Sequence, residues 1–326
     1  MPSDEAGTTF APGTTVADIG EFAMVAAIAA RLGTTSSVLL GPGDDAAVLA
    51  CPDGRVVATT DLLIENRHFR RAWSSAYDIG RKAAAQNLAD VIAMGAAPTG
   101  LLVAVAVPGD LDVRWALDLT DGLRDEAAVV EAAVVGGDLT RSDLAVISVT
   151  ALGDLGGAPP ITRAGAGAGD VVAVCGRLGW AEAGRAVLAR GFRSPRTVVT
   201  AHQRPEPPYE AAPEARSLGV HALIDVSDGL IQDLGHIAVA SGVTIDLDAS
   251  AFEADQPVRD VGAALGQDPL TFVLTGGDDH ALAACFPAGT ALPDRWRVVG
   301  RVLAGDAVVT VDGEPYDAPG GWDHFR

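Results

Sequence analysis

Residues 153–169 read GDLGGAPPITRAGAGAG, a stretch of glycine, alanine and proline that interrupts regular helix and strand. On both sides of it, apolar segments of strand length alternate with longer segments of helical spacing. A chain of 326 residues is longer than one ordinary core requires and fits two domains. We therefore predict two domains, residues 1–155 and 156–326, in the α+β (mixed α/β) class, each with a mixed sheet covered by helices.

Hydrophobic spacing predicts the main elements of each half. In the first half, helices are predicted over 17–33, 77–95 and 113–132, and strands over SVLL, RVVATT, TGLLVAVAV and both ends of AVVGGDLTRSDLAVISVTALG. In the second half, DVVAVCG predicts a strand, GWAEAGRAVLARG a helix, and HALIDVSDGLIQDLGHIAVASG a strand, turn and helix. The later strands are predicted over VTIDL, TFVLT, ALAACF and VVGRVL.

The charge of the chain excludes some classes of function. There are 43 acidic residues against 23 lysines and arginines, which gives a formal net charge of -20. Nucleic-acid binding needs a basic face that neutralises phosphates, so we expect no nucleic-acid partner. The single lysine, Lys82, follows no glycine-rich loop, which excludes a Walker-type phosphate loop.

Cysteine spacing and hydropathy bear on the compartment. Cys51, Cys175 and Cys285 are far apart and odd in number, so neither a disulfide framework nor a zinc site is indicated. The most apolar stretch, residues 83–107, is interrupted by Asp90, Gly95 and Pro98 and predicts a buried helix and strand, not a membrane span. With no secretory signal pattern either, we expect a cytoplasmic protein without a membrane partner.

One subset of the acidic residues does not fit a solvated surface. In most of these cases an apolar strand leads into a turn that carries a carboxylate: Asp44 and Asp45 in GPGDDAA, Asp61 after VVATT, Asp138 in VVGGDLT, Asp225 and Asp228 in LIDVSDGL, and Asp278 and Asp279 after VLTGG. Asp90 interrupts an apolar helix, where a buried carboxylate without a counter-charge is costly. Any one of these aspartates could simply cap a helix or build a turn. Together they favour Mg²⁺, which takes oxygen ligands and shares them with substrate phosphates.

On these residues the chain resembles the thiamine-monophosphate kinase family, of the superfamily that includes aminoimidazole ribonucleotide synthetase and selenophosphate synthetase. The resemblance runs from GEFAMVAAIAARL to GWDHF and rests on motifs that occur in order: GPGDDAAVL, TTDLLIENRHF, NLADVIAMGAAP, VVGGDLTR, ITRAGAGAGD, IDVSDGLIQDLGHIA and LTGGDDH. It implies transfer of the γ-phosphoryl group of ATP to thiamine monophosphate, giving thiamine diphosphate. It also implies a homodimer in which the sheets of the N-terminal domains pair.

The resemblance assigns roles to named positions. Metal ligands are implied at Asp45, Thr59, Thr60, Asp61, Asp90, Asp138, Asp225 and Asp228, for several Mg²⁺ ions. ATP, the co-substrate, is implied to contact Gly137, Asp138, Arg163 and Ser227, and the thiamine moiety to meet His68, Asp278 and Trp322. No residue acts as a nucleophile, and the chemistry passes through the metal-bound carboxylates of Asp45, Asp90 and Asp225. A K⁺ requirement is left open.

Three positions depart from the family pattern. Asp278 in GGDDHA stands where a glutamate is usual, Arg67 precedes His68 where a small or apolar residue is usual, and Tyr209 replaces a common arginine. Two alternative functions stay open, another ATP-dependent synthetase of the superfamily and a non-catalytic nucleotide- and metal-binding sensor. Against the synthetases, TTDLLIENRHF has no lysine and no cysteine precedes Cys51.

Overall fold

The computed structural model describes residues 10–42, 46–316 and 318–322. Within these ranges the chain divides into two units. Unit 1 contains the described residues up to Val91 together with Ala97–Gly157, and unit 2 contains Ile92–Ala96 and the described residues from Ala158 onward.

Unit 1 is built on a four-stranded mixed sheet. Its helices are α1 (Val16–Ala29), α2 (Ala76–Ala93) and α3 (Val113–Val129), and its strands are β1 (Val38–Leu40), β2 (Val48–Leu49), β3 (Val57–Ile64), β4 (Ala97–Val107), β5 (Ala133–Arg141) and β6 (Val146–Asp154). The sheet has the order β3-β6-β4-β5 with only β4 and β5 parallel, and β1 and β2 form a separate antiparallel pair. The three predicted helices are confirmed, although α1 is shorter than predicted and is kinked at Gly20.

The two faces of this sheet differ in exposure. In β3, Leu63 is buried while the neighbouring Leu62 is 47% exposed, as the alternation of side chains along a strand requires. Leu102 of β4 is 40% exposed on the same side as Leu62. We call this side the open face and define it by Thr60, Leu62, Leu102, Ala104 and Asp138, whose register aligns them across the strands.

Unit 2 contains a seven-stranded mixed sheet. Its strands are β7 (Val171–Cys175), β8 (Ala222–Val226), β9 (Thr244–Leu247), β10 (Ala281–Phe286), β11 (Trp296–Leu303), β12 (Val309–Val311) and β13 (Glu314–Pro315), in the order β13-β12-β9-β11-β7-β10-β8. Its helices are α4 (Trp180–Ala189), α5 (Arg196–Gln203), α6 (Ala211–Ser217), α7 (Leu230–Ser241), α8 (Gln256–Leu265) and α9 (Pro269–Thr275), with a 3₁₀ turn at Ala249–Ala251. Only β12 and β9 are parallel.

The central strands of this sheet are buried on both faces. Val172 and Val174 of β7 belong to one hydrophobic cluster, whereas Ala173 and Cys175 belong to another on the opposite face. The near-continuous apolar runs of β7, β8 and β10 follow from this double burial. Within the described ranges, no helix has the length and hydropathy of a membrane span.

One predicted strand is wrong. TFVLT is not a strand but most of helix α9. The preceding Asp268 caps the helix by accepting the N–H of Leu270 at 2.9 Å, and Pro269 occupies the first turn, where its fixed φ suits a helix. A short apolar run is ambiguous between strand and helix, and here the Asp-Pro capping signal decides in favour of helix.

Candidate active site

In unit 1, strand β3 and helix α2 bring a threonine and a carboxylate together. Thr59 Oγ1 donates to Asp90 Oδ2 at 2.7 Å. Asp61 lies two residues after Thr59 and therefore projects from the same face of the strand. Asp90 is half-buried between the buried residues Ala89 and Val91, so the Thr59 hydroxyl meets part of the hydrogen-bonding demand of its carboxylate. These three oxygen-bearing side chains form the unit 1 cluster.

Thr60 and Asp138 lie on the other side of the sheet. The Thr60 hydroxyl donates to the Val149 carbonyl at 3.0 Å and accepts from Thr150 Oγ1 at 3.1 Å. Asp138 pairs with Ala104 and shares the open face with Thr60. Strands β3 and β5 are the two edges of the sheet, about 14 Å apart at three strand spacings. Within one chain, the structure therefore does not bring Asp138 together with the unit 1 cluster.

Gly137 allows β5 to pass unusually close to β4. A Cβ at this position would lie 1.9 Å from the carbonyl oxygen of Val103, which excludes any other residue without a backbone shift. The glycine thus fixes the backbone that carries Asp138.

His68 follows the end of β3 in a tight turn. The ring nitrogen Nδ1 of His68 accepts the backbone N–H of Ile64 at 2.9 Å. The backbone N–H of His68 donates to the Ile64 carbonyl at 2.9 Å. With Nδ1 acting as an acceptor, the proton of the neutral ring is on Nε2. Asp44 and Asp45, the first predicted metal loop, lie outside the described residues.

In unit 2, two segments contact the end of β8 and the turn at residues 227–229 that follows it. The backbone N–H of Asp278 donates to the Ser227 carbonyl at 2.8 Å, and that of His280 donates to the Val226 carbonyl at 3.0 Å. From the C-terminal segment, the Trp322 N–H donates to the Asp228 carbonyl at 2.9 Å. We call the end of β8, the turn and these two contacting segments the unit 2 cluster. It contains five predicted site residues: Asp225, Ser227, Asp228, Asp278 and Trp322.

The approach of these segments depends on Gly277. A Cβ at residue 277 would lie 2.3 Å from the Ser227 carbonyl oxygen. The glycine that precedes Asp278 in LTGGDDH is therefore required by packing of one loop against the other.

Asp233 organises the turn from inside helix α7. Its Oδ2 accepts the N–H groups of Ser227, Asp228 and Gly229 at 3.0, 3.1 and 3.1 Å. Burial, followed by the nearby charge of Asp225, raises the pKa of Asp233 to about 7, although the N–H donors of Gly229 and Asp228 act in the opposite direction.

This arrangement decides how the turn can bind a phosphate. A strand, turn and helix usually bind phosphate through the free N–H groups at the start of the helix. Here Asp233 already accepts from the N–H groups of the turn that precedes the helix, so the turn itself offers carboxylates and the Ser227 hydroxyl. The carboxylates of this turn can hold an anion only through a cation.

The carboxylates of the unit 2 cluster have different partners. Asp225 Oδ2 lies 3.1 Å from Nδ1 of His280, and both side chains are buried. Asp228 Oδ2 accepts from Gln232 Nε2 at 3.3 Å. Asp278 Oδ2 lies 3.8 Å from Nδ1 of His202, which belongs to α5. Asp278 and Trp322 are half-exposed and therefore open to a ligand.

Arg163 lies at the other end of helix α7. Its carbonyl accepts from the hydroxyl of Ser241, the last residue of the helix, whereas Ser227 and Asp228 precede the first. A helix of 12 residues spans about 18 Å. Arg163 and Ser227 are thus not brought together by the structure.

Sequence reasoning missed Asp233 and His280. Both stand in the motifs IDVSDGLIQDLGHIA and LTGGDDH, but neither follows a strand directly. An acid in the first turn of a helix that begins at Ser-Asp-Gly was the available signal for Asp233. No local signal exists for His280, because its partner Asp225 is distant in sequence.

The oxygen donors of both clusters fit magnesium. Among the described residues, no group of three or more His, Cys, Asp or Glu side chains is arranged to hold a metal ion. Mg²⁺ does not need one, since it binds through one or two carboxylates and completes its shell with water and substrate phosphate. Asp61 and Asp90 in unit 1, and Asp225 and Asp228 in unit 2, are the residues that could hold it.

Known proteins place the chain in a family. The model of the AIR synthase related protein, N-terminal domain, matches residues 43–155. The thiamine-monophosphate kinase of Mycobacterium tuberculosis H37Rv is 47% identical over 312 residues, covering 95% of this chain and 93% of that protein.

Two solved structures agree in fold. The thiamine-monophosphate kinase of Stenotrophomonas maltophilia has a TM-score of 0.80 and 34% identity, covering 91% of this chain and 98% of that one. The structure of AaThiL complexed with AMPPCP and TMP has a TM-score of 0.78 and 29% identity, covering 97% and 100%. The identity and coverage of these relatives, with the ordered motifs and the mixed two-unit fold, show that the chain belongs to the thiamine-monophosphate kinase family of phosphotransferases.

Proposed function

We propose that the protein transfers the γ-phosphoryl group of ATP to thiamine monophosphate, giving thiamine diphosphate. The names of the near full-length relatives support this reaction, as does the related AaThiL structure that holds AMPPCP and TMP. The observation in this chain that carries the proposal is the turn before α7. Its N–H groups are occupied by Asp233 while its carboxylates remain, as expected where phosphates are held through cations.

The physical difficulty of the reaction is charge repulsion. The acceptor is a phosphate monoester with a second pKa near ~6, so it is mostly ionised at neutral pH and needs no general base. Two unit charges ~4 Å apart repel by about 4 kcal/mol at an effective dielectric of ~20, and several such pairs are present. Bound Mg²⁺ supplies the positive charge that lets the two anions approach and stabilises the transferring group.

The chain's own residues bind and orient the reactants in this proposal. Asp45, Asp61, Asp90, Asp225 and Asp228 hold the cations, with oxygens of Thr59, Thr60 and Asp138 completing the set. Gly137, Asp138, Arg163 and Ser227 bind the nucleotide, while His68, Asp278 and Trp322 bind the thiamine moiety. Transfer is direct and in line, without a phosphorylated enzyme.

We also propose roles for the two parts of the chain and a homodimeric state. Residues 1–155 carry metal and ATP loops together with a dimer interface, and residues 156–326 complete the nucleotide and substrate site. The exposed Leu62 and Leu102 support a homodimer that joins two open faces, because large apolar side chains exposed on one face of a sheet are typical of interaction sites. The expected compartment is the cytoplasm. ADP-release assays with and without K⁺ test whether that ion is required.

The test is a coupled ADP-release assay on wild type and Asp90→Asn with ATP and thiamine monophosphate. We expect wild type to release ADP and Asp90→Asn to lose at least about 100-fold in kcat, because an amide holds a cation more weakly than a carboxylate does. The melting temperature without Mg²⁺ should change little, since an amide still accepts from Thr59. Turnover of the variant equal to wild type at saturating Mg²⁺ would refute the assignment of Asp90.

Other acceptors in the same assay distinguish the kinase from the two alternative functions, a synthetase and a sensor. ADP release with an aminoimidazole precursor in place of thiamine monophosphate would indicate a synthetase. ATP binding by calorimetry without ADP release on any acceptor would indicate a sensor. Exposed Asp110→Asn serves as the matched control and should keep wild-type turnover.

A further inference from the structure

His280 contacts Asp225 directly, in the buried part of the unit 2 cluster. Nδ1 of the imidazole lies 3.1 Å from Oδ2 of the carboxylate, and each side chain is only 5% exposed. An ionised carboxylate can only accept, so Nδ1 of His280 is the donor. We propose that His280 is a positioning residue that holds Oδ2 of Asp225 and leaves Oδ1 for a divalent cation, an inference that rests on the proposed function.

A free aspartate would not present one oxygen in a fixed direction. The terminal torsion of a carboxylate is broad, so both oxygens exchange positions unless one is hydrogen-bonded. Burial of Asp225 also makes an unpartnered oxygen costly. Carboxylates that bind metals are generally hydrogen-bonded in turn, and loss of such a partner typically weakens metal affinity or activity about 10- to 100-fold.

The backbone conformation of His280 and the pairing of β10 with β8 place this residue beside Asp225. Its φ of +52° lies in the left-handed region, as does the φ of +72° at Asp278. Histidine, asparagine and aspartate are the side chains most often tolerated there after glycine. Directly after His280, β10 pairs antiparallel with β8, aligning Ala281 with Val226 and Leu282 with Asp225. The histidine therefore stands beside the end of the strand that delivers Asp225.

Three substitutions separate hydrogen bonding from shape and from backbone strain. His280→Phe keeps a ring without a donor. His280→Gly has no donor and suits a positive φ, so it remains informative if the phenylalanine variant fails to fold. His280→Asn also tolerates a positive φ and places an amide N–H near the position of Nδ1.

The readout is cation binding without turnover. Mn²⁺, which shares the preference of Mg²⁺ for oxygen ligands, is titrated into the full chain in the presence of AMPPCP, and free Mn²⁺ is measured by electron paramagnetic resonance. We expect His280→Phe and His280→Gly to bind Mn²⁺ at least about tenfold more weakly, and His280→Asn to stay within about threefold of wild type.

The matched control is another histidine–aspartate pair of unit 2, formed by His221 and Asp170. Nδ1 of His221 lies 2.9 Å from Oδ2 of Asp170, before the start of β8 and away from the turn. His221→Phe should leave the Mn²⁺ affinity unchanged.

Two results would overturn the inference: wild-type Mn²⁺ affinity in His280→Phe and His280→Gly, or an affinity of His280→Asn as weak as that of His280→Gly. Failure of the proposed function is seen separately, as an absence of ADP release from wild type.

Discussion

Three buried aspartates of unit 2 show that the partner of a carboxylate, and not its burial, decides what it can do. Asp225 contacts a histidine, Asp233 accepts three N–H groups of its own turn, and Asp279 accepts the N–H groups of Trp180 and Ala181 at the start of α4. Of the three, only Asp225 lies in a strand, one residue before the end of β8. Asp233 and Asp279 are internal caps that shape the loops on which Ser227, Asp228 and Asp278 stand.

At the residue scale, Asp278 provides a test of substrate recognition. Asp278→Asn keeps the shape and suits the φ of +72°, but it removes the negative charge. If the carboxylate attracts the cationic ring of thiamine monophosphate, KM for that substrate should rise about tenfold, or ~1.4 kcal/mol. KM for ATP should stay unchanged. Steady-state kinetics with each substrate varied in turn gives both values, and an equal rise in both would contradict the assignment.

At the scale of elements, α4 and α9 are fixed by aspartates with different sequence signals. Asp268 directly precedes α9, so its cap could be identified from the sequence once the Asp-Pro pair is given weight over the apolar run. Asp279 caps α4 from a distant loop, while the N-cap residue Gly179 has no side chain to do so. No pattern local to α4 indicates this contact.

The cap of α4 predicts a pH dependence of stability. Burial is the main cause that raises the pKa of Asp279 to about 7, from its usual value of 3.8. Between about pH 4 and pH 7 the folded state therefore holds a proton that the unfolded state has lost, so stability falls as pH rises through this window. The melting temperature of Asp279→Asn, expressed as the difference from wild type, should therefore increase from pH 4.5 to pH 8.5. The buried amide carries no charge, whereas the wild-type carboxylate ionises over this range and must be desolvated.

Thermal unfolding without Mg²⁺ across this range measures the effect. Asp255→Asn is the control, since its exposed carboxylate accepts from the indole of Trp180 on the same helix. That variant gives the effect of removing a carboxylate that contacts α4 from outside, against which the Asp279→Asn profile is compared. A flat profile for Asp279→Asn would show that Asp279 is already ionised in the folded protein at low pH.

At the scale of the whole molecule, the open face of unit 1 carries the proposed dimer. Leu102→Glu places a charge among Leu62, Ala104 and their neighbours, where a paired sheet would have to desolvate it. We expect the mass from light scattering to fall from two chains to one, with the far-ultraviolet circular dichroism unchanged. Val239→Glu, at a position of α7 that is 69% exposed, is the control and should remain dimeric. A wild-type protein that is monomeric at micromolar concentration would contradict the proposed homodimer.

The sequence by itself determined the mixed α/β class, most helices and strands, and the motifs that carry the predicted site residues. These follow from local physics, because the spacing of apolar residues and the chemistry of turns act over a few residues. Tertiary structure alone decided that His280 meets Asp225 and that Asp138 lies on the open face away from Thr59 and Asp90. Each of these depends on contacts between residues remote in the chain or on the register of paired strands, which no local pattern encodes.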